Sequence, residues 1–532
     1  GDFVTVVPAH LDTNLLLGAV DLLITDYSSV AVDFMATGRP VVCYLHDLED
    51  YRRERGLYFE PAEFPGQCCG TPAELMRLVA AGLGAVEARP LLSSATHRRL
   101  CPQEDGHACE RVVALAFADQ RGGAKEFPLD RRTSLLFHAG RFLPNGITHS
   151  LHNLLVYLDP ARYAVTVVVE PKSIERFEAR RSLLQEASRH AAVLGRVGSM
   201  TLTTLEAEAT QRLSRQGDLD SPAMWARLHA AYRREARRLF GDGHFDVVVN
   251  YDGYGEVWPP LFAQLGGRRV IYQHSGMLAE ATLRYPALHS TFRHYPSYDA
   301  LVSVSAAVRD VNRHNLAARL GIPSERFVAC RNPLDHARVR RLAKRPPASA
   351  QDAALLAHPG PKFITVARLS PEKGQATLLR AFAAVQRRHP QARLLLVGEG
   401  PMRQQLLELR ASLGLTEAVS LLGWRDNPYP LLAGSDCFVF SSLHEGQGLA
   451  LLEALCVGLP VVCSDFPAAR ETLAQGRGLV VEGSVSGLEH GMLAYLEGRL
   501  RPAPFDPERY AAEVFEDLEA TLLSGRTAER AE

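Results

Sequence analysis

Cys437-Phe438-Val439-Phe440-Ser441-Ser442-Leu443-His444-Glu445-Gly446-Gln447-Gly448-Leu449-Ala450-Leu451-Leu452-Glu453-Ala454 reads as a short strand, a loop with two glycines and a helix. A four-residue apolar run closed by polar residues suits a strand inside a parallel sheet, which is apolar on both faces. Gly446 and Gly448 let the backbone approach a ligand closely, and the free N–H groups where the helix begins favour an anion. Glu445 stands on the loop and Glu453 about two turns further on, on the same side, so both carboxylates can face one extended ligand. The bland alternative makes both of them helix-surface carboxylates.

Working outward, strand and helix alternate through the whole chain. Around the opening stretch, strands are expected at 363–367, 394–397, 419–422, Cys437–Phe440, Val461–Ser464 and Leu479–Val481. An earlier block has them at 134–137, 165–169, Val247–Asn250, 270–272 and 301–304, and the first block at 4–7, 22–25 and 41–45. Such alternation is the pattern of parallel sheets wrapped by helices, so the fold class is α/β with three Rossmann-like domains. At 532 residues the chain is too long for one core, since domains run to roughly 100–200 residues. The expected division is a first domain over 1–118, a linker over 119–132, a second domain over 133–343, a third over 344–502, and a helical tail over 503–532 that packs back on the second domain. The Pro/Ala-rich run 345–353 reads as a hinge. Two Rossmann-like domains joined by a hinge place a cleft between the carboxyl ends of their sheets, where open α/β sheets bind ligands.

Composition narrows the function. Apolar residues make up 46% and charged ones 22%, and a formal net charge of -1 argues against general nucleic-acid binding. Nine cysteines, an odd number with no paired C-x-x-C spacing, read as reduced thiols in a cytoplasmic protein and not as a zinc site. The apolar stretch 15–24 is interrupted by Asp21 and falls short of the roughly 18–20 residues of a membrane span. Residues 224–240 read as an amphipathic helix with Trp225, Leu228, Tyr232 and Leu239 on one stripe and Arg227, Arg233, Arg234, Arg237 and Arg238 elsewhere. That pattern fits peripheral association with an anionic membrane, the inner face of a plasma membrane, or an ordinary surface helix with an Arg-rich outer side.

Arg368-Leu369-Ser370-Pro371-Glu372-Lys373-Gly374 follows the strand at 363–367 and precedes a helix from Gln375. Arg368 can bind two phosphate oxygens as a planar fork, with Lys373 as a point charge beside it. Alone, this pair also reads as a solvated loop; the Glu445 loop is what points to a diphosphate. Asn145-Gly146 sits between a strand and a helix, as a common turn does. His274 ends the strand before Ser275-Gly276 and would face the cleft, although a lone histidine is equally a structural residue.

The run from Ala367 to Val481 resembles the donor-binding domain of glycosyltransferase family 4. It carries the A-R-L-x-x-x-K-G loop, Gly423-Trp424-Arg425-Asp426-Asn427-Pro428-Tyr429, the S-x-x-E-G-x-x-L-x-x-x-E-A motif of the opening stretch, and the G-x-P-V-V strand from Gly458 to Val462. The resemblance implies a retaining GT-B glycosyltransferase over about residues 133–523. No clustered His/Cys/Asp ligands appear in the sequence, so no metal or other cofactor is expected. The same resemblance implies catalytic roles for His274, Glu445, Arg368 and Lys373. It also implies a donor site of Asn145, Gly146, Arg368, Lys373, Asn427, His444, Glu445, Gly446, Gln447, Gly448, Leu449 and Glu453. In it, Glu445 binds sugar hydroxyls, Glu453 the ribose, and Arg368 with Lys373 the departing diphosphate. Gln447 stands where many members carry an aromatic residue, which leaves the donor open.

Leu22-Ile24 followed by Thr25-Asp26-Tyr27-Ser28-Ser29 places hydroxyls and N–H groups at one helix start, as a phosphate site or a plain N-cap would. With Gly38-Arg39-Pro40-Val41-Val42, Asp47 to Arg53, Gly56-Leu57-Tyr58-Phe59, Pro65-Gly66 and Cys101 to Arg111, the block resembles the C-terminal part of the CDP-glycerol glycerophosphotransferases, the teichoic-acid polymerase family. The resemblance implies a CDP-alcohol phosphate site at Asp26, Tyr27, Ser28 and Ser29. It also implies that the block is truncated, with the family's catalytic histidines upstream and His10 no substitute. The expected partners are a nucleotide sugar and a polyol-phosphate or glycan acceptor of the bacterial cell envelope. Polyol-phosphate transfer by the first block is the alternative activity, and a polymer-binding scaffold the non-enzymatic one.

Overall fold

The computed structural model describes residues 3–523 apart from 9, 58, 119–129, 217, 218 and 220. It divides into two compact units, residues 1–129 and 130–532. The expected linker falls, as far as residue 129, outside the described residues.

In the first unit, β1 (Leu23–Thr25), β2 (Val41–Tyr44) and β3 (Gln67–Cys69) form a parallel sheet in that order. Phe34, Val41, Cys43 and Leu45 lie at its core. Residues 4–8 form no strand, contrary to expectation, and Val4 and Val6 are 85% and 86% exposed. β-branched residues suit a pleat, but without a partner strand to complete the ladder the pattern has nothing to hold it.

The second unit holds two fully parallel sheets. The first contains β4 (Thr133–His138), β5 (Tyr163–Val169), β6 (Ala192–Gly195), β7 (Val247–Asn250), β8 (Arg268–Gln273), β9 (Ala300–Ser303) and β10 (Phe327–Ala329), in the order β10-β9-β8-β7-β4-β5-β6. The second contains β11 (Lys362–Val366), β12 (Arg393–Val397), β13 (Val419–Gly423), β14 (Cys437–Phe440), β15 (Val461–Ser464) and β16 (Leu479–Val481), in the order β13-β12-β11-β14-β15-β16. Every residue of β7, β9, β14 and β15 is buried, because helices cover both faces. β3, β6 and β10 escape the sequence reading; each is a three- or four-residue strand at a sheet edge.

Strand order in each large sheet reverses between two adjacent strands, β4 and β7 in one and β11 and β14 in the other. Loops leaving two strands at such a point diverge and open a crevice at their carboxyl ends. The Arg368–Lys373 and Glu445 loops leave β11 and β14, which pair directly through Phe363 with Cys437 and Ile364 with Phe438. Residues some 70 apart in sequence therefore meet for a topological reason.

Two expectations shift here. The hinge run is shorter than 345–353, because Ser349 caps a helix Ala350–Leu356 and its Asp352, nearly inaccessible, pairs with Arg425 at 2.9 Å. The Arg-rich helix, Pro222–Phe240, turns Leu228, Ala231 and Tyr232 into the core, and Arg234 and Arg238 pair with Glu206 and Glu235. Its apolar stripe is thus spent on the fold and does not face a bilayer. Among the described residues no helix is long and apolar enough to cross a membrane.

The last helix, Pro507–Leu523, crosses both lobes of the second unit. Leu518 and Leu522 join the core of the β4–β10 sheet, whereas Tyr510 and Val514 join that of the β11–β16 sheet. Arg268 Nε also donates to the Thr521 carbonyl at 3.0 Å.

Candidate active site in the cleft of the second unit

Gly374 lets the first loop close. Its φ of +64° is the left-handed region, and a Cβ there would lie 2.1 Å from the Ser441 carbonyl oxygen. The two loops consequently touch along their backbones: Ser441 Oγ donates to the Lys373 carbonyl at 2.8 Å and Leu443 N to the Glu372 carbonyl at 2.8 Å. Lys373 Nζ reaches the Glu445 carboxylate, which also accepts from Ser442 Oγ at 2.9 Å. Arg368 lies exposed on the same loop, its carbonyl accepting from Gln375 Nε2 at 2.8 Å. A cation, a carboxylate and a hydroxyl so placed present donors and acceptors side by side on one crevice wall.

Behind this wall lies Glu453. The helix begins at Leu449, so Glu453 stands just beyond its first turn, and its carboxylate accepts from Tyr429 Oη at 2.9 Å. Burial pushes its carboxyl up to about 7, partly opposed by the Tyr429 hydrogen bond and the Arg338 charge. Asn427, expected in the donor site, has its side chain engaged within the fold. Its Nδ2 donates to the Leu342 carbonyl and its Oδ1 accepts from Tyr429 N, so the amide builds the turn that aims Tyr429 at Glu453.

The facing wall comes from the β4–β10 lobe. Asn145 caps the helix Gly146–Tyr157 by accepting from Thr148 N at 3.1 Å, and a Cβ on Gly146 would stand 3.9 Å from Leu449 Cδ1. His274 follows β8, and its Nε2 lies 2.6 Å from the Tyr251 carbonyl oxygen. A carbonyl only accepts, so Nε2 carries the proton and Nδ1 keeps its lone pair. Burial pulls this imidazole down to about 4, which keeps it neutral at physiological pH. The lobes meet where a Cβ on Gly446 would stand 2.1 Å from the His274 carbonyl oxygen. Ser305 Oγ donates to the Gly446 carbonyl at 2.7 Å, Glu471 accepts from Ala306 N at 3.0 Å, and Arg284 pairs with Glu372 at 3.0 Å.

The structure thus brings Lys373, Glu445, Gly446, Gly448 and His274 together, and sets Arg368 and His444 at the exposed margin. Gln447, expected in the donor set, is held inside the fold. It is 4% exposed, and both ends of its amide are engaged by Asn332 and Tyr510. Sequence reasoning also passes over Ser305, Asn332, Tyr510 and Asp252. Asp252 follows β7 at the same sheet edge, its carboxyl raised by burial to about 6; no motif flags it.

In the first unit the expected phosphate site is tied up internally. Asp26 accepts from Ser28 N at 3.1 Å, and Tyr27 donates to Asp47 at 3.0 Å while stacking on Tyr51 at 3.7 Å. The cap position at Ser29 makes no side-chain hydrogen bond, and the helix Val30–Met35 is short. Two carboxylates beside the hydroxyls would repel an anion, which counts against a phosphate there.

Residues 350–512 match the model of the glycosyl transferases group 1 family, and residues 1–118 that of the CDP-glycerol:poly(glycerophosphate) glycerophosphotransferases. Among similar proteins, the uncharacterized glycosyltransferase MJ1059 of Methanocaldococcus jannaschii is 44% identical over 103 residues, 19% of this chain and 25% of that protein. The N-acetylgalactosamine-N,N'-diacetylbacillosaminyl-diphospho-undecaprenol 4-alpha-N-acetylgalactosaminyltransferase of Campylobacter jejuni is 35% identical over 162 residues, 30% of this chain and 44% of the relative. The chain spans less than half the length of these two relatives. Anabaena Alr3699/HepE, solved with UDP and glucose, superposes with a TM-score of 0.52 at 19% identity, over 73% of this chain and all of that one. A mutant of S. aureus TarM, solved with Fondaparinux, alpha-GlcNAc-glycerol and UDP, does so with 0.50 at 11%, over 73% and 97%. The second unit therefore has the two-lobed GT-B fold, and its second lobe carries the stretch that matches the glycosyl transferases group 1 model.

Proposed function

We propose that the second unit is a retaining glycosyltransferase that moves a hexose or N-acetylhexosamine from a UDP-linked donor to a cell-envelope polymer or its lipid-linked precursor. The observation that carries this reading is the contact of Lys373 and Ser442 with Glu445, on the loops that leave β11 and β14. The diphosphate replaces Glu445 as the partner of Lys373, Arg368 adds a second cation, and the N–H groups at Leu449 a third donor set. Charge builds on that diphosphate as the glycosidic bond breaks, so these groups favour the transition state over the bound donor. Glu445, released, takes sugar hydroxyls, and Nδ1 of neutral His274 accepts another. The leaving phosphate takes the acceptor's proton.

The test is product release. Purified protein is incubated with UDP-glucose, UDP-N-acetylglucosamine, UDP-N-acetylgalactosamine and GDP-mannose, with and without lipid-linked or polyol-phosphate acceptors. GDP-mannose belongs in the panel because a Corynebacterium glutamicum relative, 34% identical over 146 residues, is named as GDP-mannose-dependent. Acceptor-dependent UDP release is the expected result; binding of donor without turnover on any acceptor would favour a scaffold. The family match of residues 1–118 favours CDP-glycerol transfer as the alternative activity, read by CMP release when CDP-glycerol is added to the same panel.

Glu453 supplies a pH signature. Its carboxyl is raised by burial to about 7, so the carboxylate fraction grows as pH climbs through neutrality. If the carboxylate takes the ribose hydroxyls, affinity for UDP-glucose rises about tenfold between about pH 6 and pH 8. UDP-glucose is the right probe because a diphosphate diester does not itself titrate in that window. Calorimetry across the range should show the rise in the native chain and a flat profile in Glu453→Gln; a flat native profile removes Glu453 from ribose binding.

A further inference from the structure

We infer that Gln447 and Tyr510 are positioning residues that hold the Glu445 loop and His274 in one register across the cleft, an inference that rests on the sugar-transfer reading of that cleft. Three groups close a hydrogen-bonded ring in which every direction is fixed. Gln447 Nε2 donates to Tyr510 Oη at 2.8 Å, Tyr510 Oη donates to the Asn332 carbonyl at 2.9 Å, and Asn332 N donates to Gln447 Oε1 at 2.6 Å. All three residues are buried, at 4%, 6% and 8% exposure. The ring joins the donor-side loop, the segment linking the lobes and the last helix.

From Asn332 the chain of bonds continues into the opposite lobe. Asn332 Oδ1 accepts from Ser150 Oγ at 2.6 Å, and Ser150 Oγ lies 2.6 Å from Tyr251 Oη. Because the Ser150 proton goes to Asn332, Tyr251 is the donor in that second bond. The Tyr251 carbonyl in turn holds His274 Nε2 at 2.6 Å. A continuous path thus runs from the middle of the Glu445 loop to His274, whose backbone carbonyl meets that loop at Gly446.

The loop needs such a tether. Gln447 sits between Gly446 and Gly448, and glycines leave backbone freedom that must be removed elsewhere. The Gln447 amide and the Ser305 bond to the Gly446 carbonyl restrain that stretch. A buried ring is also intolerant of partial loss, since deleting one member strands the polar groups of the other two. Tyr510 is further seated by Arg331, whose guanidinium stands 5.2 Å from its ring centre, so removing only the hydroxyl leaves the packing in place.

The experiment compares Tyr510→Phe, Gln447→Met and the double variant with the native chain, using UDP-glucose turnover and backbone amide exchange. Each single variant should lower kcat about tenfold with the KM for UDP-glucose changed less than about threefold, and the double should be no worse than the poorer single. Amide exchange should quicken about tenfold at residues 444–449 and also at 273–276, on the far side of the cleft. Multiplicative losses in the double variant, or quickened exchange confined to residues 507–523, would overturn the inference in favour of simple helix packing. Exchange needs no catalysis, so a native chain that fails to bind or process any nucleotide sugar defeats the functional reading alone, while the exchange pattern still decides the positioning.

Discussion

Lys373→Ala should lower turnover at saturating donor about hundredfold, the range seen when one preorganised donor is taken from a developing anion. Two effects act in the same direction. The ammonium that stabilises the departing diphosphate is lost, and Glu445, which now pairs with Lys373 in a site where the two side chains are only 20% and 16% exposed, is left as an uncompensated carboxylate. A half-buried charge deprived of its partner costs several-fold more than a surface pair is worth. With the donor bound, that carboxylate would also repel the diphosphate, so the KM for donor rises as well. Arg368 lies exposed on the loop, where solvent screens it, and Arg368→Ala should cost only about tenfold in kcat. Steady-state kinetics on both variants checks the order; equal losses, or unchanged kcat in Lys373→Ala, would remove Lys373 from the reaction.

How far the sequence led can be read from the elements themselves. Cys437–Phe440, Val461–Ser464 and Leu479–Val481 are found with the expected ends because apolar runs of three or four residues between turn residues are too short for a helix. The loops after β11 and β14 were legible as a pair only through the order of their motifs, yet their contact follows from the reversal of strand order. Residues 4–7 misled because β-propensity says nothing about whether a neighbour exists. Gln447 and Asn427 show a different limit: an amide side chain gives no hint in the sequence of whether it faces outward or ties backbone segments together, and here both tie. Asn332 and Tyr510 were illegible because their roles exist only once the last helix crosses the cleft, a contact between residues 178 apart in sequence.

Gly446→Ala should lower turnover to below about one hundredth of native while leaving both lobes folded, unlike a change at its neighbour Gly448. Gly448 has a φ of +82°, so a side chain there strains its own backbone; Gly448→Ala should therefore lower thermal stability by about 1–3 kcal/mol. Gly446 does not share that conformation among the positive-φ glycines. Its constraint comes from across the cleft, where a Cβ would lie 2.1 Å from the His274 carbonyl oxygen and 2.8 Å from Val304 Cγ2. These atoms belong to the opposite lobe, and a backbone carbonyl cannot swing aside as a flexible side-chain tip does. The added methyl has to push the lobes apart, stretching the Ser305 bond to Gly446 and the Glu471 contact with Ala306 while the sheets stay intact. A displacement of about 1 Å between reacting groups costs on the order of a hundredfold in rate. Solution scattering should report a wider cleft and calorimetry a melting temperature close to native. If Gly446→Ala turned over donor normally, the working enzyme would not close to the contact seen between Gly446 and His274, and His274 could not lie close enough to the donor sugar to bind it.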